Sequence, residues 1–132
     1  MPQILIIEDN PADVDLLRRA FAEHGMTAPV VALEDGEQAL EFLAGLRSPP
    51  GIALVILDLN LPKLDGIEVL SRFRAHPLMG QVPVAVFTSS GSPAEKNRAL
   101  ALGVQAYLRK PIELDEYMAV GAAFRDLLAG TQ

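Results

Sequence analysis

The sequence alternates five times between a short apolar run and a longer segment in which apolar residues follow helical spacing. The first run, "ILII" at residues 4–7, is short, rich in β-branched residues and free of polar side chains. Such a run is typical of a buried strand, although periodicity alone does not separate it from a buried helix segment. Regular strand–helix alternation favours a parallel sheet covered by helices on both faces. We therefore predict a three-layer α/β sandwich.

The apolar runs predict the positions of five strands, and the segments between and after them predict five helices. The strands are expected at residues 4–7, 28–33, 52–57, 82–87 and 104–108. Pro29 lacks an amide donor, so the second strand is expected at an edge of the sheet. Asn10 before Pro11 is typical of a helix start. Ser92, with Glu95 three residues later, predicts a capping box for the fourth helix.

The composition favours one folded domain over residues 1–132. Half of the residues are apolar, and the net charge of −6 gives no footprint for nucleic acid or an anionic membrane. No cysteine is present, which excludes disulfides, thiolate metal sites and cysteine nucleophiles. No apolar run approaches the roughly 18 residues of a membrane span, and the amino terminus lacks a basic signal region. We therefore expect a cytoplasmic protein.

Polar residues follow four of the predicted strands, at the point where each strand ends. Two follow the first strand, and one each follows the third, fourth and fifth: Glu8, Asp9, Asp58, Thr88 and Lys110. In an open parallel sheet, the carboxyl ends of the strands share one edge, where functional groups collect. We therefore expect three carboxylates, one hydroxyl and one ammonium to converge at this edge.

Three carboxylates at one edge need a compensating charge. Two unit charges ~4 Å apart repel by about 4 kcal/mol at an effective dielectric near 20. Oxygen-only ligands favour Mg²⁺, which keeps several waters and often binds beside a phosphoryl group. Lys110 and Thr88 add an ammonium and a hydroxyl that suit the oxygens of an anion. The set therefore predicts a site for a metal ion together with a phosphoryl group.

The chain resembles the receiver domain of two-component response regulators over essentially its whole length. Four segments carry the resemblance, in the family's order and separations: "IIEDN", "ILDLNLPKLDG", "PVAVFTSSG" and "AYLRKPI". The resemblance implies the flavodoxin-like receiver fold, with five parallel strands in the order 2-1-3-4-5. The segments "EDNPADVDLL" and "LDLNLPKLDG" look most like those of small stand-alone receivers paired with bacteriophytochrome-type histidine kinases. The resemblance therefore implies a phospho-accepting regulator, not an enzyme, that has a histidine kinase as partner.

The resemblance also implies the metal ligands and the phosphoacceptor. Asp58 is expected to accept the phosphoryl group and to contribute to the metal site. Asp9 is expected to bind Mg²⁺, or alternatively Mn²⁺, directly, and Glu8 is expected to act through water. The carbonyl of Asn60 is expected to complete the protein's share of the coordination. Glu8 stands where the family more often has an aspartate.

The remaining roles concern the phosphoryl group and the switch. Lys110 is expected to contact the phosphoryl group, and Thr88 to hydrogen-bond to it after transfer. Tyr107 matches the aromatic position that changes rotamer as Thr88 moves. The Lys110–Pro111 bond matches one that is cis in the family, which proline permits at a cost of ~1 kcal/mol. Ser90 occupies a position that tunes dephosphorylation in the family.

Side chains outside this set have simpler interpretations. Asp13 and Asp15 are expected on the solvated first turn of a helix, where the helix dipole favours them. Asp13 is also near enough to the edge to support the site. His24 and His76 are expected at the surface, close to helix ends.

The predicted last helix carries a wide apolar band made of two rows. The first row is expected to pack on the sheet and comprises Tyr117, Val120, Phe124 and Leu127. The second row comprises Leu114, Met118 and Ala122. A band this wide exceeds what core packing usually needs. It indicates either a broadly buried helix, or a homodimer or partner surface through helix 4, strand 5 and helix 5.

Three other functions stay open. The first is a small Mg²⁺-dependent phosphatase that uses Asp58 as nucleophile, although Asn60 stands where such enzymes usually have a second aspartate. The second is a flavodoxin-like nucleotide binder, although the loop "EDNPAD" is acidic and has no glycine, the opposite of a phosphate-cradling loop. The third is a receiver that binds partners without being phosphorylated, although all five key residue types are present.

Overall fold

The computed structural model describes residues 2–130, which form five strands and five helices. The strands are β1 (Gln3–Ile7), β2 (Val30–Leu33), β3 (Ile52–Leu57), β4 (Val84–Thr88) and β5 (Ala106–Arg109). The helices are α1 (Pro11–Glu23), α2 (Gly36–Gly45), α3 (Gly66–Ala75), α4 (Pro93–Ala101) and α5 (Leu114–Ala129). The strands form one parallel sheet in the order β2-β1-β3-β4-β5, so the predicted fold and strand order are confirmed. None of these described helices is long and apolar enough to cross a membrane.

Two apolar layers cover the faces of the sheet, because successive residues of a strand point to opposite faces. α1 and α5 pack on one face, where Phe21 of α1 meets Phe124 of α5 edge-on. α2, α3 and α4 cover the other face, where Phe73 is fully buried. β1 and β3 lie in the middle of the sheet and are almost wholly buried, which explains their unbroken apolar sequences. β2 lies at an edge, as Pro29 predicts.

The helix starts follow the predicted capping residues with one difference. Asn10 Oδ1 accepts the N–H of Ala12 at 3.0 Å, and Ser92 Oγ accepts the N–H of Glu95 at 3.3 Å. The Glu95 carboxylate, however, accepts the hydroxyl of Ser90 rather than the N–H of Ser92. The N–H of Ser92 donates to Ser90 Oγ instead, at 3.3 Å. The second half of the predicted capping box is therefore wrong, because Ser90 stands between its two partners.

The two histidines lie at helix ends, as predicted, and are half-buried because each joins two helices. Nε2 of His24, at the end of α1, lies 3.0 Å from the carbonyl oxygen of Met118 in α5. Nε2 of His76, at the end of α3, lies 2.9 Å from the carbonyl oxygen of Leu43 in α2. Each histidine ring thus contacts a neighbouring helix, which is a tertiary contact that spacing along the chain does not reveal.

The apolar band of α5 divides between the core and the surface. Tyr117 and Phe124 of the first row are buried on the sheet. Met118 of the second row is only 7% exposed, because α5 packs closely on α1. At Gly121 a Cβ atom would lie 2.6 Å from the carbonyl oxygen of Ala20, so only glycine permits this approach. Most of the band is therefore core, and its exposed part is confined to the start of the helix.

All peptide bonds between the described residues are trans, including Lys110–Pro111. The cis bond that the family resemblance implies is therefore not found there. Trans is the generally preferred isomer before proline, by about 0.5–1 kcal/mol.

Candidate metal and phosphoryl site

The carboxyl ends of β1 and β3 place Glu8 and Asp58 side by side. Ile7 pairs with Leu57 in the parallel register, so both strands end at the same level. The N–H of Asp58 donates to the carbonyl oxygen of Ile7 at 3.0 Å, which extends the ladder into the site. Carboxylate oxygens of Glu8, Asp9 and Asp58 all lie within 4.8 Å of one another. The structure therefore brings the three predicted carboxylates together.

The cluster of three carboxylates from Glu8, Asp9 and Asp58 suits a magnesium ion, both in its oxygen donor atoms and in its access to water. Glu8 and Asp58 are each 4% exposed, whereas Asp9 is exposed. Mg²⁺ prefers oxygen ligands and retains several waters, so a group that is buried on one side and open on the other suits it. The N–H of Asn60 donates to Asp58 Oδ1 at 3.0 Å, which holds the loop after β3 against the site. The metal-binding role of the Asn60 carbonyl stays a prediction.

Lys110 lies at the centre of the carboxylates. Its Nζ atom donates to Glu8 Oε1 at 2.5 Å, to Asp58 Oδ2 at 3.0 Å and to Asp13 Oδ2 at 3.1 Å. The side chain of Lys110 is only 10% exposed. Three acceptors satisfy the three N–H bonds of the ammonium, so its position is defined from three directions.

The burial of these charges shifts the pKa values of Glu8 and Lys110. Burial raises the pKa of Glu8 from 4.5 to about 8, and the nearby charge of Asp58 acts in the same direction. The hydrogen bond from Lys110 opposes that rise. Burial alone would lower the pKa of Lys110, but its hydrogen bond to Glu8 and the charge of Asp58 outweigh burial and raise it. The ammonium therefore keeps its charge throughout the physiological range.

Thr88 and Tyr107 face the same side of the sheet. Thr88 is fully buried, and its Oγ1 accepts the N–H of Ser90 at 3.2 Å. Tyr107 pairs with Val86, two residues before Thr88 on β4, so the alternation of the strand places both side chains on one face. The Tyr107 hydroxyl is the one buried side-chain polar atom between residues 2 and 130 that has no hydrogen-bond partner. The Nζ atom of Lys96 lies 5.8 Å from the centroid of its ring.

Two further residues reach the site: Asp13, which the sequence places near enough to the edge to support it, and Tyr117, for which the sequence predicts core packing alone. Asp13 in α1 contacts Lys110, and Tyr117 in α5 donates its hydroxyl to Asp13 Oδ1 at 3.0 Å. A signal for Asp13 exists in the sequence, because it lies in the first turn of the helix that follows the acidic loop. Tyr117 has no such signal, since its apolar spacing predicts core packing alone.

Comparison with known proteins places the chain in one family. Residues 4–120 match the family described as response regulator receiver domain. FilR2 of Methanothrix harundinacea (strain 6Ac), a probable methanogenesis regulatory protein, is 41% identical over 117 residues, which cover 86% of this chain and 74% of FilR2. Response regulator Rcp1 of Synechocystis sp. (strain ATCC 27184 / PCC 6803 / Kazusa) is 34% identical over 116 residues, covering 86% of this chain and 79% of Rcp1.

Solved structures agree with the sequence comparison. The phosphorylated cyanobacterial phytochrome response regulator RcpA superimposes with a TM-score of 0.88 at 29% identity, covering 99% of this chain and 96% of RcpA. The Mn²⁺-bound form of Rcp1 superimposes with a TM-score of 0.84 at 29% identity, covering 95% of this chain and 93% of Rcp1. The likeness therefore extends over nearly the whole of each chain.

Proposed function

Because the chain belongs to the response regulator receiver family and so is a phospho-accepting module of two-component signalling, we propose that Asp58 is its phosphoacceptor. The observation that carries this assignment is the environment of the Asp58 carboxylate. One oxygen accepts the N–H of Asn60, and the other accepts the ammonium of Lys110. The carboxylate is thus fixed at the sheet edge, beside two further carboxylates that can share a cation with it.

The reaction proposed for Asp58 is transfer from a phosphohistidine of a kinase. A carboxylate oxygen of Asp58 attacks the phosphorus, a new P–O bond forms, and the P–N bond breaks with its electron pair passing to the imidazole nitrogen. The product on this chain is an acyl phosphate. Lys110 stabilises negative charge on the phosphoryl oxygens, and Thr88 donates its hydroxyl to one of them after transfer. Water later hydrolyses the acyl phosphate, so the only turnover is slow autodephosphorylation.

A divalent cation completes this site. Asp9 and Asp58 would hold it directly, Glu8 would act through water, and the Asn60 carbonyl would be a further ligand. When bound, Mg²⁺ supplies positive charge to the carboxylates and to the phosphoryl oxygens. Mn²⁺ is the alternative occupant, and the existence of an Mn²⁺-bound form of Rcp1 supports it.

The switch that follows phosphorylation is assigned to Thr88 and Tyr107. The phosphoryl group attracts the Thr88 hydroxyl, which draws the end of β4 towards Asp58 and shifts an equilibrium between two arrangements. Tyr107 then changes rotamer on the same face of the sheet. The unpaired Tyr107 hydroxyl supports this assignment, since a second arrangement can give it the partner it lacks.

The kinase partner is proposed to be of the bacteriophytochrome type. The likeness to a phytochrome response regulator supports this narrower choice within the histidine kinases. The whole chain, residues 1–132, is proposed to act as one receiver domain, and the single sheet formed by β1 to β5 supports this. No nucleic acid or membrane is assigned as partner, and a cytoplasmic location stays a prediction that cell fractionation tests.

A homodimer through α4, β5 and α5 is a further part of the proposal. The large apolar side chains that are exposed between residues 2 and 130 are Leu100, Ile112 and Leu114. All three belong to α4, to the loop after β5 or to the start of α5. Sedimentation with and without a phosphoryl mimic tests self-association, and a monomer in both states at tens of micromolar would reject the dimer.

Intact-mass spectrometry after incubation with Mg²⁺ and acetyl phosphate tests the phosphoacceptor. We expect one phosphate adduct on the native chain and none on Asp58→Asn. Asp115→Asn changes an exposed carboxylate of α5 and is the matched control, which should retain the adduct. No adduct on the native chain, or an undiminished adduct on Asp58→Asn, would overturn the assignment. The comparisons give no support to the phosphatase or nucleotide-binding alternatives.

A further inference from the structure

The three carboxylates that hold the Lys110 ammonium are not equivalent. Glu8 and Asp58 belong to the group of oxygens that converge on a cation site. Asp13 does not belong to that group, yet its Oδ2 atom lies 3.1 Å from Lys110 Nζ. Of the three acceptors, Asp13 is therefore the one that is not also placed to bind a cation.

A second contact fixes the orientation of the Asp13 carboxylate. Tyr117 donates its hydroxyl to Asp13 Oδ1 at 3.0 Å, while Asp13 Oδ2 faces Lys110. The Tyr117 ring is itself fixed, because it is 4% exposed and packs edge-on against Phe87 with centroids 5.3 Å apart. A line of hydrogen bonds therefore runs from the body of α5 through α1 to the ammonium.

We propose that Asp13 is a positioning residue for phosphoryl transfer: it holds the Lys110 ammonium beside Asp58, and Tyr117 holds Asp13. This inference rests on the proposed function, because it concerns the same transfer to Asp58. A cation bound by Asp58, and by Glu8 through water, would compete with Lys110 for two of its three acceptors. The positive charge of the cation also repels the ammonium. Asp13 then remains to keep Lys110 at the place where the phosphoryl oxygens arrive.

The proposal assigns different parts to the two residues. Asp13 supplies the negative charge that orients Lys110. Tyr117 acts only through Asp13, since its hydroxyl contacts the carboxylate and main-chain carbonyl of Asp13. Their effects on phosphoryl transfer should therefore not add in a double variant.

The test compares Asp13→Asn, Tyr117→Phe and the double variant with the native chain. The main readout is the maximal rate of phosphorylation at saturating Mg²⁺ and acetyl phosphate. We expect a loss of about tenfold in Asp13→Asn, the effect of one hydrogen bond to a charged group, and a smaller loss in Tyr117→Phe. The double variant should be no slower than Asp13→Asn. Asp15→Asn, an exposed carboxylate on the same helix, is the matched control and should keep the native rate.

Two further measurements separate positioning from a structural role. The ¹³Cε and ¹Hε resonances of Lys110 should move in Asp13→Asn but not in Asp15→Asn. The Mg²⁺ dissociation constant, from calorimetry, should change far less in Asp13→Asn than in Asp9→Asn, because Asp13 contributes a nearby charge but is not a ligand. Tyr117→Phe retains the buried ring, so it should stay folded and still report on the hydroxyl.

The inference fails if Asp13→Asn is phosphorylated at the native maximal rate, if the Lys110 resonances do not move, or if the two single effects add. Failure of the proposed function looks different. In that case the native chain itself takes no phosphoryl group, or Asp58→Asn still takes one.

Discussion

Lys110 Nζ lies 3.0 Å from Asp58 Oδ2, although the strands that carry these residues are separated by β4 in the sheet. The ammonium reaches across the end of the intervening strand. There the main-chain N–H of Lys110 donates to the carbonyl oxygen of Thr88 at 2.8 Å. The Lys110 ammonium thus links the ends of β3 and β5 and lies beside the last residue of β4. Its loss should affect stability and phosphoryl transfer together.

The first prediction concerns the removal of this charge. Lys110→Met keeps much of the apolar side chain but leaves Glu8 and Asp58 buried without their ammonium. We expect the free energy of unfolding to fall by about 3 kcal/mol in metal-free buffer, because a buried carboxylate without its partner is strongly destabilising. Urea unfolding at neutral pH measures this loss.

Magnesium should reverse part of the loss in Lys110→Met, because a cation bound to the folded state offsets the same carboxylates. Lys96→Met, on the exposed face of α4, is the control and should lose at most about 1 kcal/mol, through its contact with the Tyr107 ring. Equal stability of Lys110→Met and Lys96→Met would show that the ammonium is not needed to compensate the carboxylates.

The second prediction concerns the pH dependence of metal binding. The pKa of Glu8 is raised from 4.5 to about 8 in the metal-free fold, so the folded state binds this proton more tightly than the unfolded chain does. The resulting contribution to stability is fully present below the unfolded pKa and is lost as pH rises through about 8. A proton on Glu8 also opposes metal binding. We therefore expect the affinity for Mg²⁺ to rise by roughly 25-fold between about pH 6.5 and about pH 8.5.

Calorimetry at several pH values measures this rise, and Glu8→Gln is the informative variant. The amide cannot titrate, so the variant should bind Mg²⁺ with a much flatter dependence on pH. If the Mg²⁺ affinity of Glu8→Gln depends on pH as steeply as that of the native chain, the proton that competes with the metal belongs to another group.

The fold and the edge of the site were predictable because both depend on the order of local signals along the chain. Apolar runs mark β1 and β3, and a parallel sheet places whatever follows them, Glu8 and Asp58, at one edge. The contact of Tyr117 with Asp13 was not predictable in this way. It depends on how α5 lies on α1, and the same apolar spacing at Tyr117 would suit a residue with no polar contact. The His24 contact with α5 was missed for the same reason.

The third prediction concerns the close approach of α3 to the loop after Asp58. A Cβ atom at Gly66 would lie 2.4 Å from Leu59 Cα and 2.7 Å from its carbonyl oxygen, and backbone atoms cannot move aside cheaply. We expect Gly66→Ala to lower the free energy of unfolding by about 3 kcal/mol. Gly45→Ala, at the end of α2 with no atom within 4 Å of the added Cβ, should instead be stabilising by about 0.5 kcal/mol. Urea unfolding of both variants measures the contrast, and similar effects would contradict it.

The fourth prediction concerns Lys63, whose φ of 70° lies in the left-handed region. Its ammonium lies 3.5 Å from Asp35 and 3.6 Å from Glu37, but the side chain is 55% exposed, so these ion pairs contribute little. Backbone strain should therefore dominate. We expect Lys63→Gly to unfold at a higher urea concentration than Lys63→Ala, because both lose the ion pairs and only glycine removes the strain. The reverse order would show that strain at this position is negligible.

The fifth prediction concerns the buried hydroxyl of Tyr107, which has no hydrogen-bond partner. A buried polar group without a partner is destabilising by about 1–3 kcal/mol, so Tyr107→Phe should raise the free energy of unfolding by about 1 kcal/mol in the unphosphorylated state. If phosphorylation turns this side chain so that the hydroxyl finds a partner, the advantage of phenylalanine should shrink when a phosphoryl mimic is bound. Urea unfolding with and without beryllofluoride measures both quantities. A gain of equal size in the two states would mean that Tyr107 keeps its position, and the switch would then have to act through Thr88 without it.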